Sequence, residues 1–447
     1  MRLHRKNRLS MPRGDGLMTS RAGESRHRRG TDIEQSGGHD PMRATSLLGS
    51  LLFVIAAAVP AAHAQTGAPP AGALRLGVLT DMSGVYSDFS GNGSVVAVQM
   101  AIDDFGGKVL GRPIQLLSAD HQNKADIGAN LAREWYDKEN VRAIFDTTNS
   151  AVTLAVTAVT RDKNRIVMIG GSSTTKVTTD SCTPNSVQYV YDANALSNVT
   201  GKALIAQGGD TWYFITVDFA FGHGLEKATS DVVKAAGGKV VGAVRHPLNT
   251  TDFSSFLLQA QASGAKVIAL ANGGSDTINA IKGASEFKIT NSGKQRVASF
   301  LTFITDVHAM GLNLAEGIML TEAFYWDLND ETRAWSRRFF EKTKRMPTMV
   351  QAGMYSAATH YLKAVAASGT DDTASVMAKM KATPVNDMFA KGGKIRADGL
   401  HVHDMYLMQV KKPSESKSPW DYYHVKATVP AAEAFSPMTP GACAFIK

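Results

Sequence analysis

Small polar residues follow apolar runs at several places along the chain. "MIGGSSTTKV" (168–177) is the densest case, with Ser172, Ser173, Thr174 and Thr175 in succession after two apolar residues and two glycines. "DTTNS" (146–150) sets Asn149 and Ser150 before an amphipathic segment. "TDMSGVYSDFSGNG" (80–93) carries Ser83, and "ANGGSD" (271–276) carries Asn272. Hydroxyls and amides of this kind donate hydrogen bonds without becoming nucleophiles. Where they open a helix, the unpaired N–H groups and the helix dipole add an attraction for a carboxylate. Each residue alone has a local alternative, Ser150 as a helix cap and Thr174 as a turn former.

Other chemistries lack their residues. Lys108, Lys202, Lys239, Lys294 and Lys394 follow glycine, yet none is followed by Ser or Thr, so no phosphate-binding G-x-x-x-x-G-K-[ST] loop is present. G-x-S-x-G, H-E-x-x-H and C-x-x-C are also absent. "HVHD" (401–404) offers His401 and His403 from one strand face. With no further ligand cluster nearby, they read as two polar side chains on an exposed face rather than a metal site. Asp103 and Asp104 are adjacent on a helix, so they diverge and cannot share a proton. Loop aromatics with basic neighbours are too sparse for a nucleic-acid surface. The expectation is a binding protein, not an enzyme, with no cofactor and no metal.

The loops must be positioned by the elements around them. From residue 74, β-branched runs alternate with amphipathic ones. Strands are expected over 74–79, 114–120, 141–146 and 165–170, with helices over 94–105, 125–139 and 150–163 between them. The pattern resumes with strands over 211–217, 239–246 and 266–272. This is the pattern of βαβ units and parallel sheets. The polar loops all follow strands, and in open α/β sheets the crevice beyond the strand carboxyl ends is where ligands bind. Helices over about 331–380 and a late return to strands suggest that the chain crosses between two lobes more than once.

Residues 42–64, "MRATSLLGSLLFVIAAAVPAAHA", have a basic start, an apolar stretch and an A-x-A site at Ala62-His63-Ala64. That predicts an export signal cleaved near Ala64, too short in its apolar part to span a bilayer comfortably. Residues 1–41 are Arg-rich without apolar periodicity, which suggests a start at Met42 or a disordered extension. Residues 1–64 hold ten Lys/Arg and five Asp/Glu, leaving 38 of the 48 basic and 35 of the 40 acidic residues. The formal charge of the remainder is +3 rather than +8, poor support for a nucleic-acid partner. Two cysteines, Cys182 and Cys443, fit one disulfide in an exported chain, with a free buried pair as the alternative.

Residues 74–135, "LRLGVL…LAREW", are similar, segment after segment, to the first lobe of type I periplasmic substrate-binding proteins of ABC importers, the leucine/isoleucine/valine-binding group. "DFAFGHGLEKATSDVVKAAGGKVVG" and "TDFSSFLLQAQASGAKVIALANGG" resemble its second lobe, and "AFYWDLNDETRAWSRRFFEKTKRMP" its return segment. The resemblance implies an α/β fold of two lobes closing like a flytrap, each a mostly parallel sheet flanked by helices, with three hinge crossings. It places lobe 1 at 74–194 with a return over about 326–392, and lobe 2 at 195–325 with a C-terminal segment over about 393–447. It implies a monomer in the periplasm that binds a small molecule and docks on a membrane permease, without stable membrane insertion. Ser150, Ser172 and Thr174 match positions that hold a ligand carboxylate, and Tyr86 matches the first-lobe loop. Phe221 stands where the family usually has Tyr, so a hydroxyl is missing. Asp306 is the nearest candidate for an acid that receives an α-ammonium. Ligand classes stay open between an amino acid or related amphiphile and an aromatic carboxylate, as does service to a membrane receptor.

Overall fold

The apolar runs become buried strands whose carboxyl ends carry the polar loops. A computed structural model describes residues 72–289 and 293–446; the expected leader, 1–41 and 42–64, lies outside the described residues. Leu74–Thr80 (β1) is buried throughout except at Arg75, as a central parallel strand should be. It leads through helix α1 (Gly91–Asp104) and strand β2 (Lys108–Val109) to β3 (Arg112–Asp120). Helix α2 (Ala125–Asp137), β4 (Val141–Asp146), α3 (Ser150–Asp162), β5 (Ile166–Ile169) and β6 (Ser186–Gln188) follow. The sheet order is β2-β3-β1-β4-β5-β6, parallel except for the β2 edge. The winding therefore reverses between β1 and β4, and the crevice at that switch point is flanked by Thr80 and Asp146. Glycine is required inside β1: a Cβ on Gly77 would lie 2.4 Å from the Trp135 ring of α2.

The chain then passes through α4 (Ala193–Leu196), a π turn at Ser197–Gly201 and α5 (Lys202–Ala206). A second unit follows: β7 (Thr211–Val217), α6 (Ala220–Ala235), β8 (Lys239–His246), α7 (Ser254–Ala262), β9 (Val267–Ala271), α8 (Ser275–Glu286) and β10 (Arg296–Ser299). Its sheet is fully parallel in the order β10-β9-β7-β8, with its switch point between β7 and β9. Short helices α9 (Ile304–Met310) and α10 (Leu312–Ala315) lead to β11 (Met319–Glu322). The chain returns to the first sheet through α11 (Asp330–Thr343), α12 (Met349–Ser368) and α13 (Thr373–Ala382). Met354, Tyr361 and Val365 of α12 share one buried apolar cluster with Leu76, Val98 and Phe145. Arg338 pairs with Asp104 of α1 at 2.5 Å.

The late strands are antiparallel. β12 (Val385–Asn386), β13 (Lys391–Ile395) and β14 (His401–Val402) form one small sheet, which touches the first lobe where Leu400 bridges Gln188. β15 (Met405–Val410) and β16 (Tyr423–Val429) join β11 in another, followed by the single turn α14 (Ala431–Ala434). His401 and His403 are buried, not on an exposed face as the alternation suggested. The small sheet lies against the segment after β6, so His401 Nδ1 meets the Tyr189 carbonyl (2.9 Å) and His403 Nε2 the Val190 carbonyl (3.0 Å). Burial holds both rings below the ordinary histidine range. Cys182 and Cys443 are bonded, with Cα atoms 5.6 Å apart.

Candidate functional site

The two switch points meet. Phe89, just before α1, stacks on Phe303, just before α9, with ring centroids 4.1 Å apart. Gly274, at φ +60°, comes so near the first-lobe loop that a Cβ there would lie 2.2 Å from the Val85 carbonyl oxygen. Between the lobes lies a small cavity lined by Tyr86, Phe89, Asn149, Ser150, Gly171 and Ser173 from the first and Phe219, Phe221 and Leu301 from the second. None of these is Lys, Arg or His. The cavity is about 10 Å³, room for a single water, so a solute enters only when the lobes part or the phenylalanines move.

One end is polar. Asn149 is the N-cap of α3: its side-chain oxygen accepts from the N–H groups of Ala151 (2.9 Å) and Val152 (3.4 Å). Ser150 is therefore the first residue of the helix, beside its positive dipole end. The Ser172 hydroxyl donates to Ser150 Oγ at 3.3 Å. Ser173 Oγ is buried with no partner. The loop that delivers these groups is strained, with Asp146, Thr147 and Asn149 at φ +81°, +55° and +79°. Non-glycine residues in this region, a β-branched threonine above all, cluster at functional sites.

An acid lies beside Tyr86. Asp276, in the first turn of α8, is buried with both carboxylate oxygens lacking a hydrogen-bond partner. Burial pushes its pKa up to about 7, against the pull of backbone groups at Asn249 and Thr250. Tyr86 is also buried with its hydroxyl unpartnered, and burial followed by the nearby Asp276 charge pushes its pKa well up. Buried polar atoms without partners are few in folded proteins. Here Ser173, Tyr86 and Asp276 leave them at one lobe junction.

The remaining expected residues stand further out. Ser83 is exposed and donates to Asp120 Oδ2 at 2.5 Å, on a cleft mouth shared with Asp88, Asn249, Ser275 and Asp306. Asp306 caps its own helix α9, accepting the Phe303 N–H at 2.9 Å, and burial pushes its pKa up to about 7. Thr174 accepts from Lys176 N–H at 3.4 Å and opens a short 3-10 turn at the other mouth, facing α6. Asn272 is buried behind α8, where it accepts from the Thr277 hydroxyl (2.7 Å) and meets His246 Nε2 (3.1 Å). The sequence reasoning missed Phe89, Phe219, Leu301 and Asp276. Asp276 had a local signal, an acid in the first turn of a helix after a glycine-rich loop.

Two α/β lobes joined by several crossings meet around a small cavity lined by residues of both, the architecture of a two-lobed ligand-binding protein. The chain belongs to the periplasmic binding protein family, whose profile matches residues 73–417. A solved periplasmic binding protein from Burkholderia mallei is 51% identical, covering 84% of this chain and all of that one, with a TM-score of 0.82. A branched chain amino acid ABC transporter periplasmic ligand-binding protein from Burkholderia xenovorans LB400 is 42% identical over 83% of this chain and 99% of its own, with a TM-score of 0.76. A Leu/Ile/Val-binding protein homolog of Brucella melitensis is 26% identical over 302 residues, 66% of this chain and 73% of the relative. Among the described residues, no helix is long and apolar enough to cross a membrane.

Proposed function

We propose that this protein captures a small apolar α-amino acid between its lobes and passes it to the membrane permease of an ABC importer. One observation carries the reading: a small cavity between the lobes is lined by the hydroxyls and helix N-terminus at Ser150 and Ser173 together with Tyr86, and Asp276, a buried acid whose carboxylate oxygens make no side-chain hydrogen bond, lies beside that tyrosine. A zwitterion supplies a carboxylate for the hydroxyls and an ammonium for the acid. Phe89, Phe219, Phe221 and Leu301 supply apolar walls. Asp276 thereby takes the role expected of Asp306, one of whose carboxylate oxygens is occupied by its own helix cap. An aromatic carboxylate suits the same walls but has nothing to offer the acid, and an ionised Asp276 repels it. The names of the Burkholderia and Brucella relatives support the amino-acid class.

The rest of the reading is a monomer acting in the periplasm after cleavage near Ala64, with a mature N-terminus at or near Gln65. Packing of α11 and α12 against α1 supports a return to lobe 1 after about residue 326, and the Gln188–Leu400 bridge extends that return past 392. The test is a thermal-shift and calorimetric screen of purified protein with L-leucine, L-isoleucine, L-valine, L-phenylalanine and benzoate. Ligand that binds only the native state raises the melting temperature by mass action. Stabilisation by benzoate with none by the amino acids would refute the zwitterion assignment.

A further inference from the structure

Asp146 does not line the cavity, yet four donors, one from the end of β1 and three from cleft loops, converge on its carboxylate. Oδ1 accepts the Gly171 N–H at 3.0 Å and the Thr148 hydroxyl at 3.1 Å. Oδ2 accepts the Ser90 hydroxyl at 2.8 Å and the Thr80 hydroxyl at 3.1 Å. The hydroxyls also touch one another: Ser90 lies 2.5 Å from Thr148, and Thr80 contacts both. Thr80, Ser90, Asp146 and Thr148 are all fully buried. The Asp146 carbonyl accepts the Gly170 N–H at 2.9 Å, so the same residue holds the next loop twice. The fit leaves no slack: a Cβ on Gly171 would lie 2.5 Å from Thr148 Oγ1 and 3.0 Å from Asp146 Oδ1.

Three of the four donors are near neighbours of a cavity residue. Ser90 follows Phe89, Thr148 precedes Ser150 by two residues, and Gly171 lines the cavity itself two residues before Ser173. A carboxylate accepts through both oxygens and makes the stronger, charge-assisted kind of hydrogen bond. It can therefore brace three loops that have no sheet pairing beyond the strand ends. The positive φ of Asp146 aims its side chain back across the β1 and β5 ends, and the strained turn persists because its surroundings over-determine it.

We propose that Asp146 is the positioning residue of the ligand site, holding the loops at Ser90, Thr148 and Gly171 in register before ligand arrives. The proposal rests on the site described above, and its test has one readout that needs no ligand. In Asp146→Ala, amide exchange at residues 148–150 and 171–174 should accelerate about tenfold or more, while amides of β7 and β9 keep their wild-type rates. Affinity for L-leucine should fall about tenfold or more through lost preorganisation. Asp146→Asn keeps the shape, and its amide can donate to hydroxyls that turn round to accept. It should restore both exchange and affinity to within a few-fold of wild type. Loops unchanged in Asp146→Ala, acceleration spread evenly over both sheets, or loosened loops with undiminished L-leucine binding would each overturn the proposal. If wild-type protein binds no amino acid, the amino-acid reading fails, and the exchange pattern alone still decides the role of Asp146.

Discussion

Replacing Asp276 with asparagine should improve the free protein and ruin the site. The carboxylate is buried without a hydrogen-bond partner, and burial lifts its pKa from the usual carboxylate range to about 7. In the unfolded chain the group ionises near 4. Between about pH 4 and 7 the folded state therefore binds more protons than the unfolded state, so this group lowers stability as pH rises through that window. Above pH 7 the cost is fully present, at an upper scale of about 4 kcal/mol for a shift of about three units. Asparagine fills the same space without charge, so at pH 8 the variant should melt a few degrees higher than wild type. Binding should move the other way. An ammonium about 4 Å from a carboxylate gains roughly 4 kcal/mol at an effective dielectric of 20, and asparagine retains only a neutral acceptor. A loss of about 2–4 kcal/mol, some thirty-fold to several-hundred-fold in Kd, is expected for L-leucine. Wild-type affinity should also rise from pH 6 to pH 8 as the acid ionises, with proton release on binding at pH 6. Calorimetry in two buffers of different ionisation enthalpy reads the proton count, and differential scanning calorimetry reads the stability. A variant that binds amino acids as well as wild type, or a wild-type affinity flat across that pH range, would refute the assignment of Asp276.

Ser150→Ala and Ser173→Ala should each weaken an amino-acid ligand by about 1–3 kcal/mol, the scale of a hydrogen bond to a charged group. Neither hydroxyl braces the fold, so the melting temperature of the free protein should move little, and unchanged affinity in both would leave these hydroxyls as turn formers. Thiol titration of denatured, unreduced protein should find no free thiol, and the Cys182→Ser, Cys443→Ser double variant should lose stability on the order of 5 kcal/mol by the loop-entropy model for a closure of 261 residues; denaturant unfolding measures it. Because the cavity has room for about one water, the free protein should spend time open. Small-angle scattering should then show a smaller radius of gyration with saturating L-leucine, and an unchanged profile would contradict ligand-driven closure.

Much of the scaffold is written in local pattern. β1, β4, β7 and β9 are short β-branched or apolar runs, and burial on both faces demands nothing that distant residues must supply. Asn149 is recognisable as a loop residue before a helix because its capping bonds reach only two and three residues along. The short strands β6, β10 and β11 escaped notice, since three or four residues carry too little periodicity to separate strand from loop. What the tertiary structure decided is which side of each element faces a neighbour. Asp276 and Asp306 are both first-turn acids on second-lobe helices, alike in local sequence. Packing of α8 leaves the Asp276 carboxylate without a partner beside Tyr86, whereas Asp306 turns back to cap α9. His401 opens a strand of two residues and His403 follows it, too little strand to show which face is covered, and the segment after β6 covers both. Asp146 reads locally as the last residue of a strand, and only closure of β1, β4 and β5 into one sheet brings Thr80, Ser90 and Gly171 within hydrogen-bonding distance of it. Local sequence determines where hydrogen-bonding groups fall along each element, while their orientation and partners follow from how elements far apart in the chain pack together.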